Sequence, residues 1–234
     1  MENITDSEPS DNNLDNPNDS NTTVETEIVI YSEIGDMSGL DLADSKETHF
    51  QLESNFDNGN RCRVRKSIRN ETVDYIFTIK VIDKNSEISK CEELNKEVDE
   101  EFFKTFFKVS DRIIQKYRYT FNKDIKINVE GKEIIVPNIK YEVDVFFKKG
   151  YGIKGCVISD WCKIDIEIDK INEYLESNYP DLKDIKLSVS ISELPFKPKK
   201  SILSSDCTDM KKQKIKELWD NQFITLKEET MTLE

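Results

Sequence analysis

Histidine is nearly missing from this chain: His49 stands alone in 234 residues. The five cysteines (Cys62, Cys91, Cys156, Cys162 and Cys207) are scattered, with no Cys-x-x-Cys pair among them. A structural zinc site takes four such ligands at characteristic spacings, so none is expected. No apolar run approaches the roughly 20 residues that a membrane-crossing helix needs, which excludes helical insertion. No Arg-rich or apolar leader opens the chain, and the expected compartment is cytoplasmic and reducing, with the cysteines as small core residues. Positive charge is also in deficit: 34 Lys and Arg against 47 Asp and Glu leave a net charge of −13. Duplex DNA is a poor partner for such a surface, because that affinity rests on basic groups displacing counterions. Apolar residues are scarce over residues 1–23, which read as a disordered acidic and polar tail that cannot offset its ordering entropy. Residues 24–234 read as one domain.

What is present is a recurring two-residue alternation of charged and apolar side chains, the signature of strands. From Val24, Glu25 and Glu27 share a face with Val29. Residues 50–53 form a short second strand, and the Asp57-Asn58-Gly59-Asn60 turn precedes a strand whose Arg61, Arg63 and Arg65 align. Residues 75–81 are an apolar strand carrying Lys80 alone. Residues 91–108 place Leu94, Val98, Phe102 and Phe106 at helical spacing and predict an amphipathic helix. Lys116 and Arg118 align on a strand over 113–121. Residues 125–129 and 133–136 flank a hairpin turn, and Glu142 and Asp144 align over 141–147. The clearest alternation is 161–169, where Lys163, Asp165, Glu167 and Asp169 oppose Ile164, Ile166 and Ile168. Helices are predicted over 171–179 and 210–223, and a last strand over 187–193.

An open antiparallel sheet with one face in water also yields charged strand faces. Here the signs segregate strand by strand over at least five strands, whereas solubilising faces mix them. The expected architecture is therefore α+β, mainly antiparallel β: a closed eight-stranded tunnel barrel with charges inward and helices packed outside.

In order along the chain stand Arg63-Val64-Arg65, Thr78-Ile79-Lys80, Lys116-Tyr117-Arg118-Tyr119, Glu142-Val143-Asp144-Val145-Phe146 and Asp165-Ile166-Glu167. This succession resembles the CYTH or triphosphate tunnel metalloenzyme family over about residues 25–193. Two departures stand out. Val29 occupies the place of the lysine in the family's Glu-x-Glu-x-Lys strand, and Asp165 replaces a glutamate. The resemblance implies metal-dependent hydrolysis of a triphosphate, which is inorganic tripolyphosphate, a nucleoside triphosphate or an RNA 5′ end. It implies phosphate contacts from Arg63, Arg65, Lys80, Lys116 and Arg118. It implies Mg²⁺ or Mn²⁺ held by Glu25, Glu27 and Glu167, hard ions that prefer oxygen ligands. Glu142, Asp144 and Asp165 are candidates for orienting the attacking water, or else counter-ions to the basic groups. The alternative is a non-catalytic nucleotide- or polyphosphate-binding module of the same fold. His49 and the cysteines receive no role.

Overall fold

The computed structural model describes residues 21–34, 38–56, 60–82, 90–129, 131–148, 157–182, 188–189, 198–203 and 224–225. The two-residue alternation builds an antiparallel sheet from β1 (Asn21–Ile34), β2 (Ser45–Asn55), β3 (Arg61–Arg69), β4 (Thr72–Ile82), β5 (Lys90–Glu97), β6 (Arg112–Val129), β7 (Lys132–Lys148) and β8 (Val157–Glu167). Three short strands join its margins: β9 (Ser188–Val189), β10 (Pro198–Leu203) and β11 (Ile224–Thr225). Two helices, α1 (Glu100–Phe107) and α2 (Asp169–Asn178), and 3-10 turns at Ser38–Leu42 and Pro180–Leu182 complete an α+β, mainly β, architecture.

Neighbouring strands run β1-β5-β4-β3-β2-β6-β7-β8, and β8 pairs with β1 as well. β1 meets β5 through Asn21 to Thr26 and meets β8 through Glu27 to Glu33. Different stretches of β1 serve the two partners, so no stretch of it is held by both. The expected mainly antiparallel β architecture with helices is present, with two helices among the described residues, and a complete barrel goes further than these pairings.

Local chemistry explains the connections. Arg69 pairs with Thr72 across a two-residue loop in which Asn70 and Glu71 have φ of 46° and 68°, the backbone that tight hairpins need to match strand twist. Gly131 turns β6 into β7 at φ 83°, and its N–H donates to Asn128 Oδ1 at 2.9 Å. Asp99 caps α1, its carboxylate accepting from the Phe102 N–H at 2.7 Å.

The apolar sides of the strands make two cores. The larger one joins Ile30, Phe121, Tyr141, Val143, Val145, Ile164 and Ile166 to Ile171 and Leu175 of α2 and Leu40 of the first 3-10 turn. The smaller one packs Phe103 of α1 on Leu52, Val64 and Ile113. Both helices thus lie on the apolar side and leave the opposite side of the strands to charged residues.

Several elements differ from expectation. Residues 91–108 are not one helix: the first part is β5, and only Glu100–Phe107 is helical. Glu93 and Asn95 alternate with Leu94 there, and their pairing with Lys80 and Thr78 of β4 overrides the helical spacing. The strand over 113–121 and the hairpin over 125–136 are parts of β6 and β7, which run through a register shift between Lys123 and Ile125. Asp169 leaves the strand face and opens α2. β1 starts at Asn21, three residues inside the stretch read as tail. The helix expected over 210–223 and most of the strand expected over 187–193 lie outside the described residues.

Candidate functional site

Residues paired across antiparallel strands point to the same side of the sheet, so register alone assembles the face. One row runs Ser67, His49, Lys116, Phe146 from β3 through β2 and β6 to β7. The next runs Glu47, Arg118, Asp144, Lys163, Tyr31 and ends on β1. Arg65 lies across from Gln51, Arg63 across from Glu53, and Lys80 across from both Arg61 and Glu93. Glu142 opposes Asp165, and Glu27 opposes Glu167. Arg63, Arg65, Lys80, Lys116, Arg118, Glu142, Asp144, Asp165 and Glu167 therefore share one side of the sheet by register and parity. The side chains of Glu25 and Glu27 lie outside the described residues.

This face is not a sheet surface lying in water. Asp144 and His49 are 1% exposed, Glu53 and Glu93 2%, and Lys116 and Asp165 5%. Charges survive such burial only when paired or hydrogen-bonded, and most of these are. Asp144 accepts from Lys116 Nζ and from Arg118, whose Nε and Nη2 each donate at 2.8 Å. Arg118 also pairs with Glu142, Arg112 donates to Glu53 at 2.5 and 2.8 Å, and Lys163 donates to Asp165 at 2.6 Å. Lys80 is not alone among apolar neighbours, since Glu93 pairs with it and lies 3.6 Å from Arg63. Lys140 links Glu142 at 3.1 Å to Glu167 at 3.3 Å.

The charge states follow from this packing. Burial opposes ionisation of Asp144, but Arg118 and Lys116 outweigh it and hold its pKa well below the usual 3.8. Burial and the adjacent Arg118 push Lys116 down to about 7, with Asp144 working the other way. Arg65 is lowered to about 10 by burial and by Arg63 and Arg118. Burial likewise takes His49 down to about 4, which leaves it neutral near pH 7 even though Glu47 favours its charged form.

Positive potential is concentrated on β3. The buried Nε atoms of Arg61 and Arg65 have no hydrogen-bond partner. Donors of this kind, beside a row of salt bridges, are suited to receive oxygens of an added anion. At one margin of the face Phe146 stacks on Trp161 with centroids 4.7 Å apart, and Ile114 and Tyr31 complete a small apolar cluster.

Sequence reasoning missed Glu47, Gln51, Glu53, Glu93 and Arg112, and gave His49 no role. The signal for the β2 residues was the alternation Glu47, His49, Gln51, Glu53, which continues N-terminal to the strand expected at 50–53. For metal binding, Glu167 is the expected ligand whose side chain is described, and it pairs with Lys140 and Lys170. Among the described residues there is no group of three or more potential metal-ligating side chains.

No family model matches the chain. No curated protein matches it either. Solved structures similar to it include the PH1819 protein of Pyrococcus horikoshii OT3, at 16% identity and TM-score 0.39, covering 69% of this chain and 93% of that one. The PH1012 protein of the same organism matches at 15% identity and TM-score 0.40, over 68% of this chain and 94% of that one. Likeness at this level leaves the functional argument to the chain's own residues.

Proposed function

We propose that the protein is a metal-dependent hydrolase of triphosphates, which it binds on the buried charged face, with the sheet closing around the ligand as an eight-stranded tunnel. The observation that carries this reading is the convergence on one face of the partly buried Arg61, Arg63, Arg65, Lys80 and Arg118 and the buried Lys116, together with buried carboxylates. A triphosphate carries several negative charges, and groups on β3, β4 and β6 would meet it from more than one side. Arg65 and Arg63 supply planar donors, and Lys80, Lys116 and Arg118 are released to phosphate oxygens as Glu93 and Asp144 yield part of their pairing.

The oxygen donors Glu25, Glu27 and Glu167 suit Mg²⁺ or Mn²⁺, which when bound would neutralise charge on the phosphate oxygens. The remaining chemistry is positioning and electrostatics, sufficient for a loose phosphoryl-transfer transition state. Glu142, Asp144 and Asp165 hold Arg118, Lys116 and Lys163 in place, so their first task is orientation of the cations. A triphosphate-containing small molecule or an RNA 5′ end fits as partner, and duplex DNA does not.

A second reading, a binding module without turnover, is favoured by Val29 in place of a lysine and by Lys140 lying between Glu142 and Glu167. Phosphate release from tripolyphosphate, nucleoside triphosphates and 5′-triphosphorylated RNA, with and without Mg²⁺ or Mn²⁺, separates the two. Metal-dependent release supports the hydrolase; tight binding without release supports the module; neither binding nor release contradicts both.

A further inference from the structure

The hydrolase reading leaves two buried acceptors on β2 unexplained. His49 and Gln51 are two residues apart on the charged face, 1% and 5% exposed. Each has a carboxylate holding its donor end. His49 Nε2 lies 2.9 Å from Glu47 Oε2, and an ionised carboxylate only accepts, so the ring proton sits on Nε2. Gln51 Nε2 donates to Glu53 Oε1, which likewise fixes the amide orientation. The other ends, His49 Nδ1 and Gln51 Oε1, are buried with no hydrogen-bond partner. A buried acceptor left empty is destabilising, so a donor is required there.

Mg²⁺ and Mn²⁺ prefer oxygen ligands to an imidazole nitrogen, and an ionised triphosphate has no donor to offer. Water has two. Side chains at i and i+2 of a strand project to the same side, so the two acceptors border one side of β2, where a single water can donate a hydrogen to each. We propose that His49 Nδ1 and Gln51 Oε1 take the two hydrogens of a single water molecule and that this water is the nucleophile in triphosphate hydrolysis. With both hydrogens held, its lone pairs are directed toward the bound ligand. Lys116 opposes His49 across the β2–β6 pairing and Arg65 opposes Gln51 across β2–β3, so the water sits between groups assigned to phosphate.

In the step, a bond forms from the water oxygen to the terminal phosphorus as the bridging P–O bond breaks. The bridging oxygen leaves with its electron pair on the diphosphate product. One water proton passes to His49 Nδ1 while Glu47 stabilises the imidazolium, and the other stays on the released phosphate. The groups facing the ring are Glu47, Lys116, Arg118 and Arg65, and the three cations return the proton readily to the product or to solvent. A polyanion bound beside the ring offsets Lys116, Arg118 and Arg65 and so raises the basicity of His49 in the complex.

This proposal rests on the hydrolase reading, and the test separates the two. Tripolyphosphate and ATP binding is measured by titration, and single-turnover phosphate release in Mg²⁺, for wild type, His49→Ala, His49→Gln and Gln51→Leu. The expected result is a rate loss of about 100-fold or more for the His49 variants, with Kd changed by less than about threefold for both ligands. Gln51→Leu is expected to lie between these and wild type. His49→Gln, of similar size, keeps the test valid if alanine there fails to fold. Wild-type rates in the folded variants overturn the proposal alone. So does loss of ATP binding with tripolyphosphate binding retained, which would assign the two acceptors to nucleoside donors. A wild type with no turnover on any triphosphate defeats the hydrolase reading itself and this water with it.

Discussion

Asp144 holds two cations from one buried position, which makes it the residue whose removal the fold should feel most. Asp144→Asn leaves Lys116 and Arg118 partly unpaired, and a loss of about 3 kcal/mol is expected in urea unfolding. Adding Lys116→Met should recover part of that loss, because an apolar side chain removes a buried charge that lost its partner. Additive losses in the double variant would show that the pair is not coupled. His49 gives a second signature. Its pKa falls from 6.5 in the unfolded chain to about 4 in the fold, so between those values the unfolded chain binds a proton that the folded one does not. Stability from this group is complete above pH 6.5 and is lost as pH falls toward 4, by about 3 kcal/mol in all. Thermal melts from pH 7 to 4 should show this decline in wild type and a flatter profile in His49→Gln. Equal slopes would place the imidazole outside the buried face.

At the scale of elements, α1 is short and depends on its cap and a single buried ring. Asp99→Ala should cost about 1 kcal/mol. Phe103→Ala, which empties the middle of the smaller core, should cost about 3–5 kcal/mol. Unfolding midpoints measure both, and an unchanged midpoint for Phe103→Ala would mean that α1 does not cover the sheet as described. Alternation was legible wherever a strand has one polar and one apolar side, and so the charged residues of β3, β6, β7 and β8 could be placed from sequence. It failed at β5, because Leu94 continues the helical spacing of Val98, Phe102 and Phe106, and three of those four do serve α1 and the core beneath it. It also failed at the start of β2, where Glu47 and His49 precede Phe50 and Leu52, the apolar residues that mark the strand. The pairing of Glu93 with Lys80 was illegible because it depends on the register of β4 and β5, which local pattern does not encode.

For the whole molecule, net charge and site charge diverge. The chain carries −13 overall, yet on one face Arg61, Arg63, Arg65, Lys80, Lys116 and Arg118 gather among paired carboxylates. Local arrangement and low-dielectric walls set the field inside a cleft, whatever the overall sign. A polyanion held there stabilises the fold by mass action, since the unfolded chain offers no such arrangement. The melting temperature should therefore rise with tripolyphosphate concentration and respond little to sulfate at matched ionic strength. An equal response to both salts would point to bulk ionic effects.

The most direct test of the charged face as a polyanion site is equilibrium titration of tripolyphosphate onto wild type, Arg63→Ala, Arg118→Ala and Arg118→Lys, with Lys104→Ala on the exposed side of α1 as control. Each lost arginine should weaken binding by about 1.5–3 kcal/mol, roughly 10- to 150-fold in Kd. Lysine at position 118 should restore only part, lacking the planar fork. Unchanged affinity in the arginine variants, or a loss in Lys104→Ala as large as theirs, would contradict the account.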